Sequence, residues 1–529
     1  MNNIINCLLK PFKNDFSYFI LILILITSVD IYDFVSRGFI LYSLYLFFNG
    51  YLVTYLLCLI INIIPLKLSF IFKIILTVIV ILLFIADIIS LYIYQQKFTT
   101  DFLTIFIQTN YSEAKEFIET YISPSIISII SIFLLTLLGS FLWAIHKHIC
   151  LGNKSTYLAF MGVILAVIMT FRNPTAYKDA FIGRVFELNL SSIPINVPYL
   201  HEYQIQPQIT YIKERKPQNI IMLIGESFSK SHSSLYGYTK VTNPRLTQIK
   251  DSLLFVYKEI KSASTGTFAS IKCIMSTYKP EYKDSIEWYK CTTLPTTMQT
   301  AGYQTYWVSN QSKSGVFDTG VGRYADICMH QHFVGNKFAG MNRTDKDEAI
   351  IDLLHPLLQD SINYNMYFIQ LMGSHQNFKH RYPNTFDIFK KEDYQTFPEH
   401  QRENLASYDN SILYNDSVVY EIMNLFHDKE AIVFYFSDHA IDVYESTDDF
   451  IGHARSTDPK SVEAGSQIPF MIYTSPLYQQ NFPSEMELIK QCTEQPFRTD
   501  DMIYTIMDII GVTFEGESLE GKSLFQLSR

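Results

Sequence analysis

Acidic and histidine side chains follow three of the apolar runs in the second part of the chain. In chain order they are Glu226, His375 and the adjacent pair Asp438 and His439. In open α/β sheets the ligand crevice lies outside the carboxyl ends of the strands, so we expect these side chains to meet at one edge of a sheet. Carboxylate oxygens and an imidazole nitrogen without thiolates suit Zn²⁺ or Mn²⁺. The pattern therefore predicts a metal site.

Each of these residues also has a structural explanation. Glu226 could cap the helix that follows its strand, and Asp438 and His439 could be ordinary polar residues at a strand end. Three strands that end in residues of the same chemical kind favour the metal site over three separate explanations.

The runs that precede these residues have the length of strands. Five of them alternate with longer helical or loop stretches, at residues 219–224, 303–308, 366–372, 431–436 and 469–473. Continuous apolar strands that alternate with helices are typical of a mostly parallel sheet covered on both faces. The predicted fold of this part is an α/β sandwich.

A hydroxyl-rich segment at residues 261–270 lies ahead of a predicted helix. An alcohol is a weak nucleophile at neutral pH unless a metal or a base activates it. The backbone N–H groups at a helix N-terminus also favour a bound phosphate. By chemistry alone Ser264, Thr265 and Thr267 are all candidate nucleophiles, and each could instead cap the helix.

The first third of the chain has the composition of a membrane domain. A hydrocarbon core of roughly 30 Å requires about 20 apolar residues per helix. Five stretches meet this requirement, near residues 16–33, 39–65, 71–94, 122–145 and 155–171. A cleaved signal peptide would be one short apolar run, so we expect the first stretch to be retained as an anchor.

Lysines indicate the orientation of these helices. They precede the first helix or lie in alternate loops, at Lys10, Lys13, Lys67, Lys147 and Lys154. The positive-inside rule makes those loops cytoplasmic. Five crossings then place the rest of the chain on the other side of a bacterial inner membrane, in the periplasm. We expect a membrane domain at 1–173, a linker at 174–216 and a catalytic domain at 217–529.

The exported part is acidic. Residues 1–171 contain nine of the 42 Lys and Arg residues and eight of the 51 Asp and Glu residues, so the remainder has a net formal charge of −10. Nucleic-acid binding requires a basic face, and this composition argues against it.

Four cysteines lie in the exported part, where disulfides persist. They are Cys273, Cys291, Cys328 and Cys492. Four cysteines allow three pairings. We favour Cys273 with Cys291, which are close in sequence, and Cys328 with Cys492. No CxxC spacing supports a zinc–thiolate site instead.

Long motifs in the chain resemble the signature of the phosphoethanolamine transferases, a family of five-helix membrane enzymes with a sulfatase-like periplasmic domain. The resemblance extends over the whole chain. Its motifs are Gly225-Glu226-Ser227, Tyr236-Gly237-Tyr238, Thr265-Gly266-Thr267 before Cys273, Trp307 to Gln311, Gly373-Ser374-His375, Tyr408-Asp409-Asn410 and Ser437-Asp438-His439.

The resemblance implies a role for each matching residue. The metal ligands would be Glu226, Thr267, Asp438 and His439, with Thr267 as the nucleophile that becomes modified with phosphoethanolamine. His375 and His453 would lie beside the transferred phosphate or a second metal. The substrate-binding residues would be Asn310, His375 and His453 together with Thr109 and Glu113, which fall in a segment that resembles the family's donor-lipid loop. Thr109 and Glu113 could equally be a helix cap and its acidic turn.

Some positions depart from the family pattern. The usual Asp-His-Gly-Glu reads Asp438-His439-Ala440-Ile441, and Ala263 stands where the lipid A branch has a cysteine. Lys313 is one residue out of step with the family's phosphate-side lysine. These differences affect the expected identity of the acceptor more than the expected reaction.

The resemblance implies a monomeric transferase that moves phosphoethanolamine from phosphatidylethanolamine to lipid A, the lipopolysaccharide core or another envelope glycan. The alternatives are a phosphoglycerol transferase of the lipoteichoic acid type and a non-catalytic envelope protein. The Tyr236 to Tyr238 motif argues against the first, and the intact ligand set argues against the second. A sulfatase proper would need a Cys/Ser-x-Pro-x-Arg motif, which the nucleophile segment lacks.

Overall fold

The computed structural model describes most of the 529-residue chain. The described residues are 2–94, 97–99, 102–103, 118, 122, 124–146, 151–187, 199–282, 285–311, 313, 320–334, 346–359, 364–447, 450–454 and 458–526. They form two compact units, the first within residues 1–194 and the second within residues 195–529.

The first unit is helical. Its helices are α1 Asn2–Asn14, α2 Phe16–Ser36, α3 Ile40–Ile63, α4 Leu66–Tyr94, α5 Pro124–His146, α6 Asn153–Arg172, α7 Ala176–Asp179 and α8 Phe181–Glu187. Within the described residues, the five helices α2 to α6 are long and apolar enough to cross a membrane. Large apolar side chains such as Leu68, Phe70 and Leu135 are exposed on these helices, as expected for surfaces that face lipid. The five predicted spans are confirmed.

Charged residues inside this helical unit are paired. Arg184 on α8 donates hydrogen bonds to Asp30 on α2, at 2.6 Å, and to Asp87 on α4, at 2.5 Å. Lys97 lies 3.1 Å from the same Asp30 carboxylate. Unpaired charges within a bilayer are costly, so these pairs connect α8 to the spanning helices α2 and α4.

The second unit combines strands with helices. Its strands are β1 Ile209–Tyr211, β2 Asn219–Gly225, β3 Leu254–Tyr257, β4 Ile260–Lys261, β5 Gln304–Ser309, β6 His330–Phe333, β7 Asn365–Gln370, β8 Ala431–Ser437, β9 Asp442–Val443, β10 Ile451–Gly452, β11 Phe470–Thr474, β12 Phe497–Arg498 and β13 Val512–Phe514. Its helices are α9 Pro244–Ile249, α10 Thr267–Ile274, α11 Leu294–Thr300, α12 Gly322–Ile327, α13 Ala349–Leu357, α14 Glu399–Asn424, α15 Pro459–Ser466, α16 Pro476–Asn481, α17 Pro483–Gln491 and α18 Met502–Ile509.

The central sheet has seven strands in the order β3-β11-β8-β2-β7-β5-β6. The five strands from β8 to β6 are mutually parallel, and β11 is antiparallel to both of its neighbours. The predicted α/β sandwich with a mostly parallel sheet is confirmed. Because β7, β2 and β8 are adjacent and parallel, their carboxyl ends meet in the middle of one edge.

Both faces of the sheet are buried. All seven residues of β2 are buried, and alternate residues point to opposite faces. Ile220 and Met222 belong to the apolar core on one face, and Ile221 and Leu223 belong to the core on the other. This explains why the strands are continuous apolar runs instead of alternating patterns.

The two predicted disulfides are not formed. In the described part of the chain, all four exported cysteines are buried and none of them is joined in a disulfide. Cys328 lies just before β6 at one edge of the sheet, whereas the N–H of Lys258, directly after β3 at the other edge, donates to the carbonyl of Thr493, next to Cys492. Neighbouring strands are about 4.8 Å apart, and a disulfide requires Cα atoms within about 7 Å. The sheet therefore separates this pair.

The other predicted pair fails for a different reason. Cys273 and Cys291 belong to one small apolar cluster, but each thiol points at the backbone of its own segment. The thiol of Cys273 donates to the carbonyl of Ala269 at 3.2 Å. Burial also raises the pKa of the Cys273 thiol to about 12.

We expect non-reducing peptide mapping of the purified full-length protein to find Cys328 and Cys492 as free thiols. Alkylation after unfolding without reductant should label both residues, since their places at opposite edges of the sheet prevent pairing. A peptide that joins Cys328 to Cys492 would contradict the strand order described above.

Candidate metal centre

The carboxyl ends of the central strands deliver the predicted ligands to one place. Glu226 follows β2 directly, and Asp438 and His439 follow the adjacent parallel strand β8. All three side chains are buried, with at most 1% of their surface exposed. One carboxylate oxygen or ring nitrogen from each lies within 4.8 Å of the others, a spacing at which the three could hold one metal ion.

The imidazole of His439 is the centre of this group. Its Nε2 lies 3.2 Å from Oε1 of Glu226 and 3.7 Å from Oδ2 of Asp438. Its Nδ1 lies 2.8 Å from the carbonyl oxygen of Ala440, which accepts the Nδ1–H hydrogen bond. A metal-binding histidine is usually oriented by such a bond from its other nitrogen, so Nε2 is aimed at the carboxylates.

The pKa values of these three groups indicate which of them keep a proton when no cation is bound. Burial raises the pKa of Glu226, but His439, His375 and the hydrogen bond from Ser227 together lower it, and the net direction is downward. Burial and the charge of Glu226 hold the pKa of Asp438 well above its usual range. Burial lowers the pKa of His439, yet Asp438 and Glu226 raise it to about 9. Without a cation, the site thus keeps protons at neutral pH that a metal ion would displace.

Thr267 brings an alcohol to the same space. It is the first residue of α10, and its Oγ1 lies 3.2 Å from Oε2 of Glu226 and 3.3 Å from Nε2 of His439. Gly266 before it is extended, so the helix begins with the Thr267 side chain directed at the ligand group. Of the three candidate hydroxyls, Thr267 is the one with hydrogen-bond contacts to predicted ligands. The backbone of Ser264 is held within its own segment: its carbonyl accepts from the hydroxyls of Ser262 and Ser270, and its N–H donates to Oγ of Ser270.

Unpaired polar atoms surround this space. Buried polar atoms nearly always have a hydrogen-bond partner. Among the described residues, Oδ2 of Asp438, Nδ1 of His375, Nδ1 of His453 and Nε2 of Gln376 have none. An unsatisfied carboxylate oxygen beside two further ligands fits a cation, and the two imidazoles and the amide fit an anionic or polar ligand next to it.

His375 and His453 lie near the predicted ligands. The ring centroid of His453 is 4.8 Å from that of His439. Burial and the neighbouring His439 lower the pKa of His453 to about 3. His375 follows β7 and is close enough to lower the pKa of Glu226. Both histidines are therefore available to contact a bound group.

Asn310 lies beside a buried carboxylate. Its side chain is only 1% exposed, and Nδ2 donates to Oδ1 of Asp347 at 2.7 Å. Lys313 bonds to Asp326 and Gln331, at 2.7 and 2.6 Å. Thr109 and Glu113 lie outside the described residues.

Two residues that touch Glu226 had no predicted role. Gln311 donates from Nε2 to Oε2 of Glu226 at 3.1 Å, and Ser227 donates from Oγ to Oε1 at 2.7 Å. Ser227 has a positive φ of 57°, a strained conformation for this residue type. Both lie inside motifs quoted above, but the motifs alone do not show which side chain faces the glutamate.

Other motif residues hold the loop after β2. The hydroxyl of Tyr408 donates to the carbonyl of Ser227 and accepts from the N–H of Ser229, both at 2.8 Å. Asp409 accepts hydrogen bonds from the hydroxyl of Tyr238 at 2.7 Å and lies 2.6 Å from Nδ1 of His232. The motifs that contain Tyr408 and Tyr238 thus fix the backbone next to Glu226.

The fold agrees with comparisons to known proteins. The profile of the sulfatase family matches residues 218–512. The chain belongs to the sulfatase family, and its similarity to phosphoethanolamine transferases places it with the membrane-anchored members.

Among curated proteins, the chain is similar to phosphoethanolamine transferase EptC of Escherichia coli strain K12. The two are 24% identical over 457 residues, which are 80% of this chain and 77% of EptC. Phosphoethanolamine transferase CptA of Salmonella typhimurium is also 24% identical, with the same two shares. The predicted resemblance is confirmed.

Solved structures show the same fold. Lipooligosaccharide phosphoethanolamine transferase A from Neisseria meningitidis, an integral membrane protein, superposes with a TM-score of 0.72 at 16% identity and covers 95% of this chain and 96% of its own. The periplasmic domain of Escherichia coli EptC, solved as a complex with Zn, has a TM-score of 0.55 at 23% identity and covers 62% of this chain and 91% of its own.

We expect the zinc affinity of the metal-free protein to rise with pH between 6 and 8. The pKa of His439 is about 9, so zinc must displace its proton throughout this range, and affinity should increase roughly tenfold per pH unit for each proton released. Competition with a chromophoric chelator measures it. An affinity that does not change with pH would contradict the proposed ligand set.

The same assay tests the ligands directly. Asp438→Asn should lose most of the bound zinc, because Oδ2 of Asp438 has no other partner. Asp416→Asn is a matched control: Asp416 is also a buried carboxylate, but it accepts the N–H groups of Arg245 and Leu246. Equal zinc contents in the two variants would rule Asp438 out as a ligand.

Proposed function

We propose that the protein transfers phosphoethanolamine from phosphatidylethanolamine to an envelope glycolipid or glycan, with lipid A or the lipopolysaccharide core as the favoured acceptor. The observation that supports this most is the position of Thr267, whose Oγ1 lies 3.2 Å from Glu226 and 3.3 Å from His439. A nucleophilic alcohol thus shares one space with three buried ligands. The similarity to phosphoethanolamine transferases supports the group transferred.

Glu226, Asp438 and His439 would hold the metal ion, Zn²⁺ or Mn²⁺, together with Thr267. A bound divalent cation would lower the pKa of the Thr267 alcohol and offset charge on the phosphate. The chain itself orients the parts: Gln311 and Ser227 fix the Glu226 carboxylate, and the N-terminus of α10 presents Thr267 with the backbone N–H groups of its first turn.

The reaction has two steps. Oγ1 of Thr267 attacks the phosphorus of phosphatidylethanolamine, a Thr–phosphoethanolamine bond forms, and the bond to diacylglycerol breaks. The Thr267 proton goes to the leaving diacylglycerol oxygen. A hydroxyl or phosphate oxygen of the acceptor then attacks the same phosphorus and releases Thr267, which recovers a proton.

His375 and His453 would assist both steps. Each has a buried Nδ1 without a hydrogen-bond partner, so each can contact a phosphoryl oxygen or transfer a proton between the alcohols. Gln376 offers an unpaired amide Nε2 beside them. Thr109 and Glu113 remain proposed contacts of the donor head group. Asn310 remains a proposed substrate contact.

The membrane unit fits this reaction because the donor and the favoured acceptor are lipids. Five spans would place the catalytic unit on the periplasmic side of a bacterial inner membrane, as the lysines of alternate loops indicate. An enzyme held at this surface meets both substrates in two dimensions.

Incubation of the zinc-loaded, full-length enzyme with phosphatidylethanolamine and no acceptor should leave one phosphoethanolamine group on Thr267. Peptide mass spectrometry locates it. Thr267→Ala should form no adduct and retain essentially no transfer, whereas Thr267→Ser retains an alcohol and should keep part of the activity.

The controls are Ser264→Ala and Thr265→Ala, which remove the neighbouring hydroxyls and should still form the adduct. An adduct on Ser264 or Thr265 in the wild type would refute the residue assignment. Near-normal transfer by Thr267→Ala would refute the covalent mechanism as well.

The acceptor can be found in cells. Mass spectrometry of envelope lipids and glycans should show a phosphoethanolamine increment on one molecule when the gene is present, and none when it is deleted or replaced by the Thr267→Ala variant. A glycerophosphate increment instead would favour the phosphoglycerol transferase.

A further inference from the structure

Asp347 is a buried carboxylate that no part of the proposed reaction uses. It lies just before α13, and 4% of its surface is exposed. We propose that Asp347 is a positioning residue, which holds the turn at residues 372–375, here named the His375 turn, against the backbone of Glu226. The inference rests on the proposed function, because His375 is assigned there to the phosphoryl group.

Three hydrogen bonds connect Asp347 to this part of the fold. Its Oδ1 accepts the backbone N–H of Met372 at 2.8 Å, and its Oδ2 accepts the N–H of Gly373 at 2.8 Å. Oδ1 also accepts Nδ2 of Asn310 at 2.7 Å. Only an ionised carboxylate accepts on both oxygens with no donor of its own. The contact therefore depends on the acid and not only on the size of the side chain.

The His375 turn touches a predicted metal ligand on its other side. The N–H of Ser374 donates to the carbonyl of Glu226 at 2.9 Å. Gly373 has a φ of 51°, and a Cβ placed on it would come within 2.7 Å of the Glu226 carbonyl oxygen and 2.8 Å of its nitrogen. Only glycine allows this approach. Asp347 thus holds the turn at the position where it packs on Glu226.

The far end of the turn is fixed separately. Nε of Arg381 donates to the carbonyl of His375 at 3.2 Å, and its Nη2 donates to the carbonyl of Gln376 at 3.1 Å. Asp347 at the start and Arg381 at the end leave the backbone of His375 little freedom. The unpaired Nδ1 of His375 is then held in place before any substrate binds.

Asp347 does not contact Thr267 or any of the three predicted ligands through a side-chain hydrogen bond among the described residues. Its effect on the reaction must therefore pass through the His375 turn. A displacement of a positioned group by about 1 Å can reduce a rate by as much as 10²-fold. Asn310, predicted as a substrate contact, would then be a part of this support.

The test compares Asp347→Asn with Asp416→Asn in the full-length, zinc-loaded enzyme. Both substitutions replace a buried carboxylate that accepts two backbone N–H groups. Asp347→Asn should lower kcat for phosphoethanolamine transfer roughly 10- to 100-fold with unchanged zinc content. Asp416→Asn should retain kcat. Asn310→Ser leaves in place both hydrogen bonds from backbone N–H groups to Asp347, so it should show a smaller loss of kcat. This variant replaces Asp347→Asn in the test if Asp347→Asn does not fold.

A double-mutant cycle separates positioning from a general loss of stability. In the His375→Ala background, Asp347→Asn should cause almost no further loss of kcat, because residues that act as one unit are not additive. Losses that multiply in the double variant would overturn the proposal.

Hydrogen exchange provides a readout that does not require the proposed reaction. The peptide that contains residues 371–376 should exchange faster in Asp347→Asn than in wild type or Asp416→Asn, because an asparagine has one acceptor oxygen where Asp347 offers two, and one of the two amides of Met372 and Gly373 loses its acceptor. Unchanged exchange would overturn the role of Asp347. If wild-type enzyme transfers no phosphoethanolamine but the exchange difference is found, the proposed function fails while the positioning of the turn stands.

Discussion

Two buried carboxylates that share one space with an imidazole impose the main constraint on this protein. Glu226 and Asp438 are almost fully removed from water, and their ligand atoms lie within a few ångströms of His439. Charges buried in this way are stable only when they are neutralised by protons or by a cation. Protons satisfy the site in part, as the raised pKa values of Asp438 and His439 show. A divalent ion would satisfy it fully and would also activate the neighbouring alcohol.

Much of the catalytic unit can be understood as support for this arrangement. Three adjacent parallel strands bring their carboxyl ends to one point, and the apolar cores on both faces of the sheet fix their register. Tyr408 and Asp409 on α14 then hold the loop that carries Glu226. The long helix contributes no ligand, yet its polar residues set the backbone on which the ligands depend.

The parts that could be predicted from sequence are those with a local signal. The strands are apolar runs, and the candidate metal ligands are the polar residues directly after them, so Glu226, Asp438 and His439 could be found together. Chemistry alone narrowed the nucleophile to three hydroxyl residues, and the family resemblance was needed to choose Thr267 among them. The spanning helices were equally evident, because length and hydropathy suffice for them.

The parts that could not be predicted depend on contacts between distant segments. Asp347 meets Met372 and Gly373 across 25 and 26 residues of chain, and nothing in its own surroundings indicates the partner. Asn310 has a motif that marks it as important, but the motif does not distinguish a substrate contact from a buried support. The disulfide prediction was wrong because an even number of cysteines does not show where they lie in the fold. The sheet puts Cys328 and Cys492 at opposite edges.

The central claim is that Thr267 and the three buried ligands form one metal site. Anomalous diffraction at the zinc absorption edge, from crystals of the full-length protein grown with zinc, tests this most directly. The account predicts an anomalous peak about 2.0–2.2 Å from Glu226, Asp438 and His439, with Oγ1 of Thr267 as the fourth protein atom around it. Zinc bound elsewhere, with these three side chains in contact only with one another and with protein hydrogen-bond donors, would contradict it.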